Sequence, residues 1–363
     1  MSRFRAPGTQ AATSPTARCV LRSNNAANSV AVAGPGEDTR TMSVLLPVDL
    51  PAGFTLEPAT GTHLAEVFQL VAAEQTAAFG FCPDTEEDVR SMLEPPAAAA
   101  CIEHLVRDAA GAVVQWWVVL RDPGNPITHA WISTHPQLLE ADADALARAG
   151  WAVMLDWIRA HPPENVDDEI GVHSGCPAGS TPSPRHLAAA GFTRKRTFWE
   201  MLGPVTDDAR TAPQVPGLVI EASQDVATIH RVLNQAFVGH YGFTPTTLED
   251  WLAVEETVAG FDPNLRYLAT IDGEPAAAML LSRRVETQGA LYVGELATLE
   301  QFRRRGIATA LLAYAFEIAA REGLGQLALH VDSENAHAAP AVYRHAGLEV
   351  RTAFWAYART LSR

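Results

Sequence analysis

The sequence predicts an α/β (α+β) fold in two tandem domains, each a mixed central sheet flanked by helices. Three observations lead there. The chain repeats itself once, strand-like apolar runs alternate with segments of helical spacing, and 363 residues are enough for two ordinary cores.

The repeat is read from three matches in the same order. Pro51-Ala52-Gly53-Phe54-Thr55-Leu56-Glu57 is echoed by Val215-Pro216-Gly217-Leu218-Val219-Ile220-Glu221. Phe79-Gly80-Phe81-Cys82-Pro83 returns as Tyr241-Gly242-Phe243-Thr244-Pro245, 162 positions on (242 − 80). Ala190-Gly191-Phe192 with Phe198-Trp199 is answered by Ala346-Gly347-Leu348 with Phe354-Trp355, 156 positions on (347 − 191). A period of that length is too long for a solenoid unit and marks a duplicated domain. Residues 1–41, polar and without apolar periodicity, read as a disordered tail or a misassigned start ahead of Met42. The domains then span 42–205 and 217–363, joined by a proline-bearing linker at 206–216.

Within each half the elements follow one order. A strand (55–57; 218–221) leads to a helix (63–77; 224–237), where Ile229, Val232, Leu233 and Phe237 form an apolar stripe. The aromatic-Gly-Phe-x-Pro turn and a short acidic helix come next. In the second half, 266–271 and 275–282 flank Asp272-Gly273 and predict a hairpin. A strand at 291–298, a long helix, a strand at 326–331, a helix at 338–346 and a closing strand at 354–361 complete the set. Strands crossed by helices imply a mixed sheet.

Composition narrows the function. A net charge of −15 disfavours nucleic acid as a partner, and no apolar run is long enough to span a bilayer. The four cysteines, Cys19, Cys82, Cys101 and Cys176, are scattered. That argues against a zinc site or disulfide framework and fits a reducing, cytoplasmic compartment.

Against this acidic background, residues 291–325 stand out. An apolar strand enters the turn Arg303-Arg304-Arg305-Gly306-Ile307-Ala308, and a helix starts at once, with Leu311, Leu312, Ala315, Ile318 and Ala319 at helical spacing. Free backbone N–H groups and the helix dipole converge at such a start, where Gly306 and Ala308 would let an anion approach the main chain. A Walker P-loop is excluded, because Gly-Lys-Ser/Thr is missing.

These residues resemble the GCN5-related N-acetyltransferase (GNAT) superfamily. Its turn pattern Gln/Arg-x-x-Gly-x-Gly/Ala is met by Arg303, Gly306 and Ala308. Its later segment is met by Asn335, Tyr343, Gly347 and Leu348. The likeness covers about residues 217–361, and the duplication is most similar to the tandem branch that contains the mycothiol synthases. The resemblance implies acetyl-CoA as co-substrate, with no metal. Leu296, Ala297 and Thr298 would pair with its pantetheine arm. Arg303, Arg304, Arg305, Gly306, Ile307, Ala308 and Thr309 would hold its pyrophosphate, and Asn335 would sit near the arm. Tyr343 corresponds to the acid that protonates the departing thiolate, and Glu295 is the preferred general base. His330, Asp332 and Glu334 stand in reserve as bases.

The first half lacks this chemistry. Leu139 falls opposite Arg303 and Asp142 opposite Gly306, so the turn becomes Glu140-Ala141-Asp142-Ala143-Asp144. Those carboxylates would repel a pyrophosphate. Leu187 falls opposite Tyr343. The expected protein is therefore an N-acetyltransferase with one acetyl-CoA site. It would act on a small-molecule amine, as a monomer or homodimer, with no nucleic-acid or membrane partner. A protein or peptide amine is the alternative acceptor, and a non-catalytic acetyl-CoA-binding or scaffolding module is the alternative of another class.

Overall fold

The computed structural model describes residues 48–94, 100–121, 126–163, 168–206, 213–240, 243, 245–256, 260–334 and 339–363. The expectations for 1–41, for most of the 206–216 linker and for Asn335 lie outside the described residues. The first half runs β1 (Thr55–Pro58), α1 (Leu64–Phe79), α2 (Glu86–Leu93), β2 (Ala100–Arg107), β3 (Val113–Arg121), β4 (Ile127–Thr134), α3 (Glu140–Ala160), β5 (Glu169–Pro177), α4 (Pro182–Ala189) and β6 (Thr193–Pro204). The second repeats the order: β7 (Leu218–Ala222), α5 (Val226–Ala236), α6 (Leu248–Glu255), β8 (Arg266–Ile271), β9 (Glu274–Ser282), β10 (Ala290–Thr298), α7 (Ile307–Arg321), β11 (Gln326–Asp332), α8 (Ala339–His345) and β12 (Glu349–Ser362).

Local chemistry accounts for these boundaries. Thr85 caps α2 in a reciprocal box with Asp88, and Asp225 caps α5 by accepting from the Thr228 amide at 3.0 Å. The β8–β9 turn carries φ of 48° at Asp272 and 84° at Gly273, the left-handed pair that a two-residue hairpin needs. Apolar alternation then assigns faces. Trp116 packs with Leu105 and Val118 beneath α1 and α2, while Trp117 packs with Val106 and Val119 beneath α3. In α7, Leu311, Leu312, Ala315, Ile318 and Ala319 are all buried.

The two halves do not form two sheets. Their strands make one twelve-stranded sheet in the order β1-β2-β3-β4-β5-β12-β6-β11-β10-β9-β8-β7. The last strand of each half has crossed over. β12 lies antiparallel between β5 and β6, and β6 lies between β12 and β11. Because β6 and β12 hold the same place in the element order of their halves, each presents an edge that the other half's sheet can accept.

Parallel pairing occurs at corresponding places in each half. β4 runs beside β5 from Ile127 to His129, and β10 beside β11 from Ala290 to Val293, where Leu329 is the partner. Beyond those residues the paired strands splay into a wedge. In β10 a bulge between Val293 and Glu295 accompanies the splay. Tyr292 lies opposite Ser282 and Glu295 opposite Leu280, two residues apart on β9, so the extra residue Gly294 turns Tyr292 and Glu295 to one face. Arg266 of β8 pairs with Leu280 and shares that face, where Glu255 at the end of α6 meets it.

Candidate active site

The wedge between β10 and β11 opens into a cavity of about 700 Å³. Its walls are Gly294 and Leu296–Thr298 of β10, Leu329–Asp332 of β11, the start of α7, and Tyr343 of α8. The end of α5 and the loop after it close one side with Phe237, His240 and Phe243. Strand β6 of the first half closes another with Arg196 and Phe198.

At the mouth, Gly306 takes φ 85° and stands as N-cap of α7 with no side-chain cap. The first-turn amides of Ile307, Ala308 and Thr309 are thus offered to an incoming acceptor. A Cβ on Gly306 would meet the Pro213 ring at 3.3 Å as well as straining the backbone. Arg304 also has a positive φ, 61°, and lines the cavity.

The three arginines divide their work. Arg303 donates to the Thr298 carbonyl at 3.1 Å and to the Ala236 carbonyl at 2.8 Å, tying the turn to β10 and α5. It holds the shape of the site as well as lining it. Arg305 is exposed, stacks 5.3 Å over the Phe302 ring and is not in the cavity wall.

Deeper in, burial governs the titratable groups. The Tyr343 phenol is pushed up to about 12 by burial, with Tyr292 nearby as a second cause, so it holds its proton at ordinary pH. Glu295 is buried and its carboxyl is raised well above the usual range, first by burial and then by the charge of Glu255. Glu255 is itself paired with Arg266 through two hydrogen bonds of 2.9 and 2.6 Å. Glu295 shares the face of Tyr292 but is not in the cavity wall. His330 is in the wall, one residue past the last strand pair, with Nδ1 2.9 Å from the Tyr292 hydroxyl. Its imidazole is pushed down to about 3, chiefly by burial. Asp332 and Glu334 line the cavity and pair with Arg196, Glu334 at 2.7 Å and Asp332 at 3.6 Å.

Thus Leu296, Ala297, Thr298, Arg303, Arg304, Gly306, Ile307, Ala308, Thr309 and Tyr343 come together around one cavity, whereas Glu295 and Arg305 lie outside its wall. Sequence reasoning missed Arg196, Phe198 and Tyr292. The first two belong to a half read as degenerate and reach the cavity only through the exchanged strand. Tyr292 reads as a core strand residue, and only the bulge at Gly294 turns it toward Glu295. Among the described residues, no group of three or more His, Cys, Asp or Glu side chains could hold a metal ion. No described helix is long and apolar enough to cross a membrane.

A wedge between parallel strands, backed by an uncapped helix start, makes a site able to hold a phosphate-bearing co-substrate. Residues 226–348 match the pattern of the acetyltransferase (GNAT) family. The chain belongs to that family and is an acyltransferase enzyme; the family's co-substrate is acetyl-CoA. It is 30% identical over 306 residues to the mycothiol acetyltransferase of Beutenbergia cavernae, covering 79% of this chain and 93% of that protein. Among solved structures, a GCN5-related N-acetyltransferase from Sphaerobacter thermophilus superposes with a TM-score of 0.72 at 24% identity, covering 87% of this chain and 98% of that one. A tandem GNAT protein from the clavulanic acid biosynthesis pathway gives 0.61 at 16% identity, covering 85% and 98%. The tandem fold is shared with these two proteins.

Proposed function

We propose that residues 217–363 carry the single acetyl-CoA site and transfer its acetyl group to the primary amine of a small molecule by direct attack in a ternary complex. Residues 42–205 support that site without an acetyl-CoA site of their own. The carrying observation is continuity: one cavity runs from the bare amides at the start of α7 to Tyr343. Those amides, with Arg304 beside them, suit the pyrophosphate. The main chain of Leu296, Ala297 and Thr298, diverging from β11, suits the amide-bearing pantetheine arm.

The chemistry follows from placement. The amine nitrogen forms a bond to the acetyl carbon as the carbon–sulfur bond breaks. Tyr343 gives its phenolic proton to the leaving sulfur, a role suited to a phenol kept protonated by burial. The ammonium proton passes to Glu295, directly or through water, whose raised carboxyl brings it toward a useful basicity. The acceptor enters on the face shared by Tyr292 and Glu295. The first-half residues Arg196 and Phe198 help to enclose it, which favours a small molecule over a protein tail. The named relative is a mycothiol acetyltransferase, and an amine-bearing glycoside of cysteine is the first acceptor to try. The enzyme would act in the cytoplasm as a monomer or homodimer. An acceptor screen with purified protein and acetyl-CoA, following free CoA thiol, tests the reading. Turnover with a small amine is expected; tight acetyl-CoA binding without turnover on any amine would replace catalysis with sensing.

A further inference from the structure

His330 stands where the wedge begins. Val293 and Leu329 are the last residues paired across β10 and β11, so Gly294 and His330 are the first to face each other over the opening gap. Anything lying in the wedge with its reactive end at the apex would meet this ring. The ring is also held. Tyr292, from the neighbouring strand and the same face, places its hydroxyl 2.9 Å from Nδ1, which leaves Nε2 as the ring nitrogen available to the cavity.

Which partner carries the proton decides what His330 can do. A phenol is a good donor and a poor acceptor, because its oxygen lone pair is drawn into the ring. The Arg284 guanidinium lies 5.3 Å from the Tyr292 ring centroid and strengthens that bias. Arg284 is itself fixed by Asp88 of α2, at 3.0 Å, across the junction of the halves. With Tyr292 donating to Nδ1, a neutral ring must carry its one proton on Nε2. The charges that act most strongly on the ring are those of Glu200, Arg284, Arg351 and Asp88. Burial among them keeps the imidazole neutral across the ordinary pH range.

We propose that His330 is a neutral hydrogen-bond donor, its Nε2–H aimed at the acyl oxygen, and that Tyr292 is the positioning residue that fixes this tautomer. This inference rests on the acetyl-transfer reading and gives His330 a role other than that of a base. Negative charge grows on the acyl oxygen as the amine adds, and a fixed donor at that point stabilises it without having to reorganise. A neutral imidazole used as an electrophile in this way has a precedent in triosephosphate isomerase.

The tautomer can be read directly. In full-length protein carrying 15N-labelled histidine, the His330 resonances, assigned by their loss in His330→Gln, should show a protonated Nε2 and a bare Nδ1. A protonated Nδ1, or an imidazolium, overturns the proposal. Acetonyl-CoA, a ketone that presents the carbonyl but cannot transfer acetyl, should shift the Nε2–H signal. Propyl-CoA, which has no carbonyl, should not. Equal responses to the two overturn the contact with the acyl oxygen.

Activity supplies the third reading. His330→Leu should lower kcat about 100-fold, the usual effect of removing one oxyanion donor. His330→Gln, which donates from an amide but cannot act as a base, should recover all but about 10-fold. Equal losses in the two variants overturn the donor role. Tyr292→Phe should lower kcat about 10-fold and mix the tautomers while acetyl-CoA affinity stays unchanged. Should no amine be acetylated, the acetyl-transfer reading fails, while the tautomer and the acetonyl-CoA response still decide the role of His330.

Discussion

The two wedges differ in what fills them. Between β10 and β11 the space is about 700 Å³, whereas between β4 and β5 it is about 30 Å³. The first-half wedge is occupied by Glu74 from α1, whose carboxylate accepts from the Ser133 side chain, the Thr134 amide and Ser183. The residue 162 positions on (236 − 74) is Ala236, which lines the open cavity. The helix starts diverge in the same way. At the start of α7 the chain offers bare amides and arginine. At the start of α3 it supplies its own carboxylates, and Asp144 is answered by Arg185 at 2.6 Å and His186 at 2.8 Å from α4. One wedge keeps donors in want of a partner, and the other has met that want internally. Where the second half is open, the first is self-occupied.

The comparison can be broken by exchanging residues between the halves. Ala236→Glu should carry the first-half plug into the open wedge, and Gly306→Asp should bring the carboxylate of Asp142 to the phosphate turn. Each should weaken acetyl-CoA binding by more than about 100-fold in calorimetry, since a charge buried without a partner or a left-handed non-glycine costs on the order of 1–3 kcal/mol before like-charge repulsion is added. Unchanged affinity in both would mean that the cavity is not the acetyl-CoA site.

Tyr343→Phe puts an apolar ring where the first half has Leu187 and should lower kcat about 100- to 1,000-fold while leaving acetyl-CoA affinity near its original value. Full turnover would return Tyr343 to core packing. Glu295→Gln should lower kcat about 100-fold and remove a limb of the pH profile. Because burial and Glu255 raise the Glu295 carboxyl, activity in the unmodified protein should fall as pH drops through a value above the usual carboxylate range. A profile unaltered by the substitution would exclude Glu295 as the base.

The smallest effect belongs to the plug itself. Burial raises the Glu74 carboxyl from 4.5 to about 7. The folded state therefore holds an extra proton between those values, and the stability tied to it is complete below about 4.5 and lost as pH rises through about 7. Glu74→Gln should leave thermal stability unaltered in acid and raise it by up to about 3 kcal/mol above neutrality, a shift of several degrees in Tm. A uniform change at every pH would mean that the Glu74 carboxyl titrates alike in the folded and unfolded chain.

Much of this was legible in the sequence because the signals were local. Helical spacing in α7, the Asp272-Gly273 hairpin and the run Arg303–Ala308 each depend on neighbours a few residues apart, and each forms where expected. The run of acids that sets Asp142 opposite Gly306 is equally local. What the sequence withheld depends on partners far along the chain. Glu74 reads as an ordinary helix carboxylate until Ser133 and Ser183 close on it, and Arg196 reads as surface until β6 lies beside β11. Even Arg303, expected to hold phosphate, directs much of its hydrogen bonding to the carbonyls of Thr298 and Ala236, which no local pattern reveals.

The crossing of β6 and β12 has a consequence for synthesis on the ribosome. When the first half has been made, β5 still lacks its inner neighbour, because that neighbour, β12, is formed by residues 349–362. The early product lacks that native pairing until residues 349–362 have followed. A stop codon in place of Thr352 would spare every residue of the proposed acetyl-CoA site, yet leave a gap in the middle of the sheet. The exchange makes one folding unit of two halves, and neither half completes its sheet by itself.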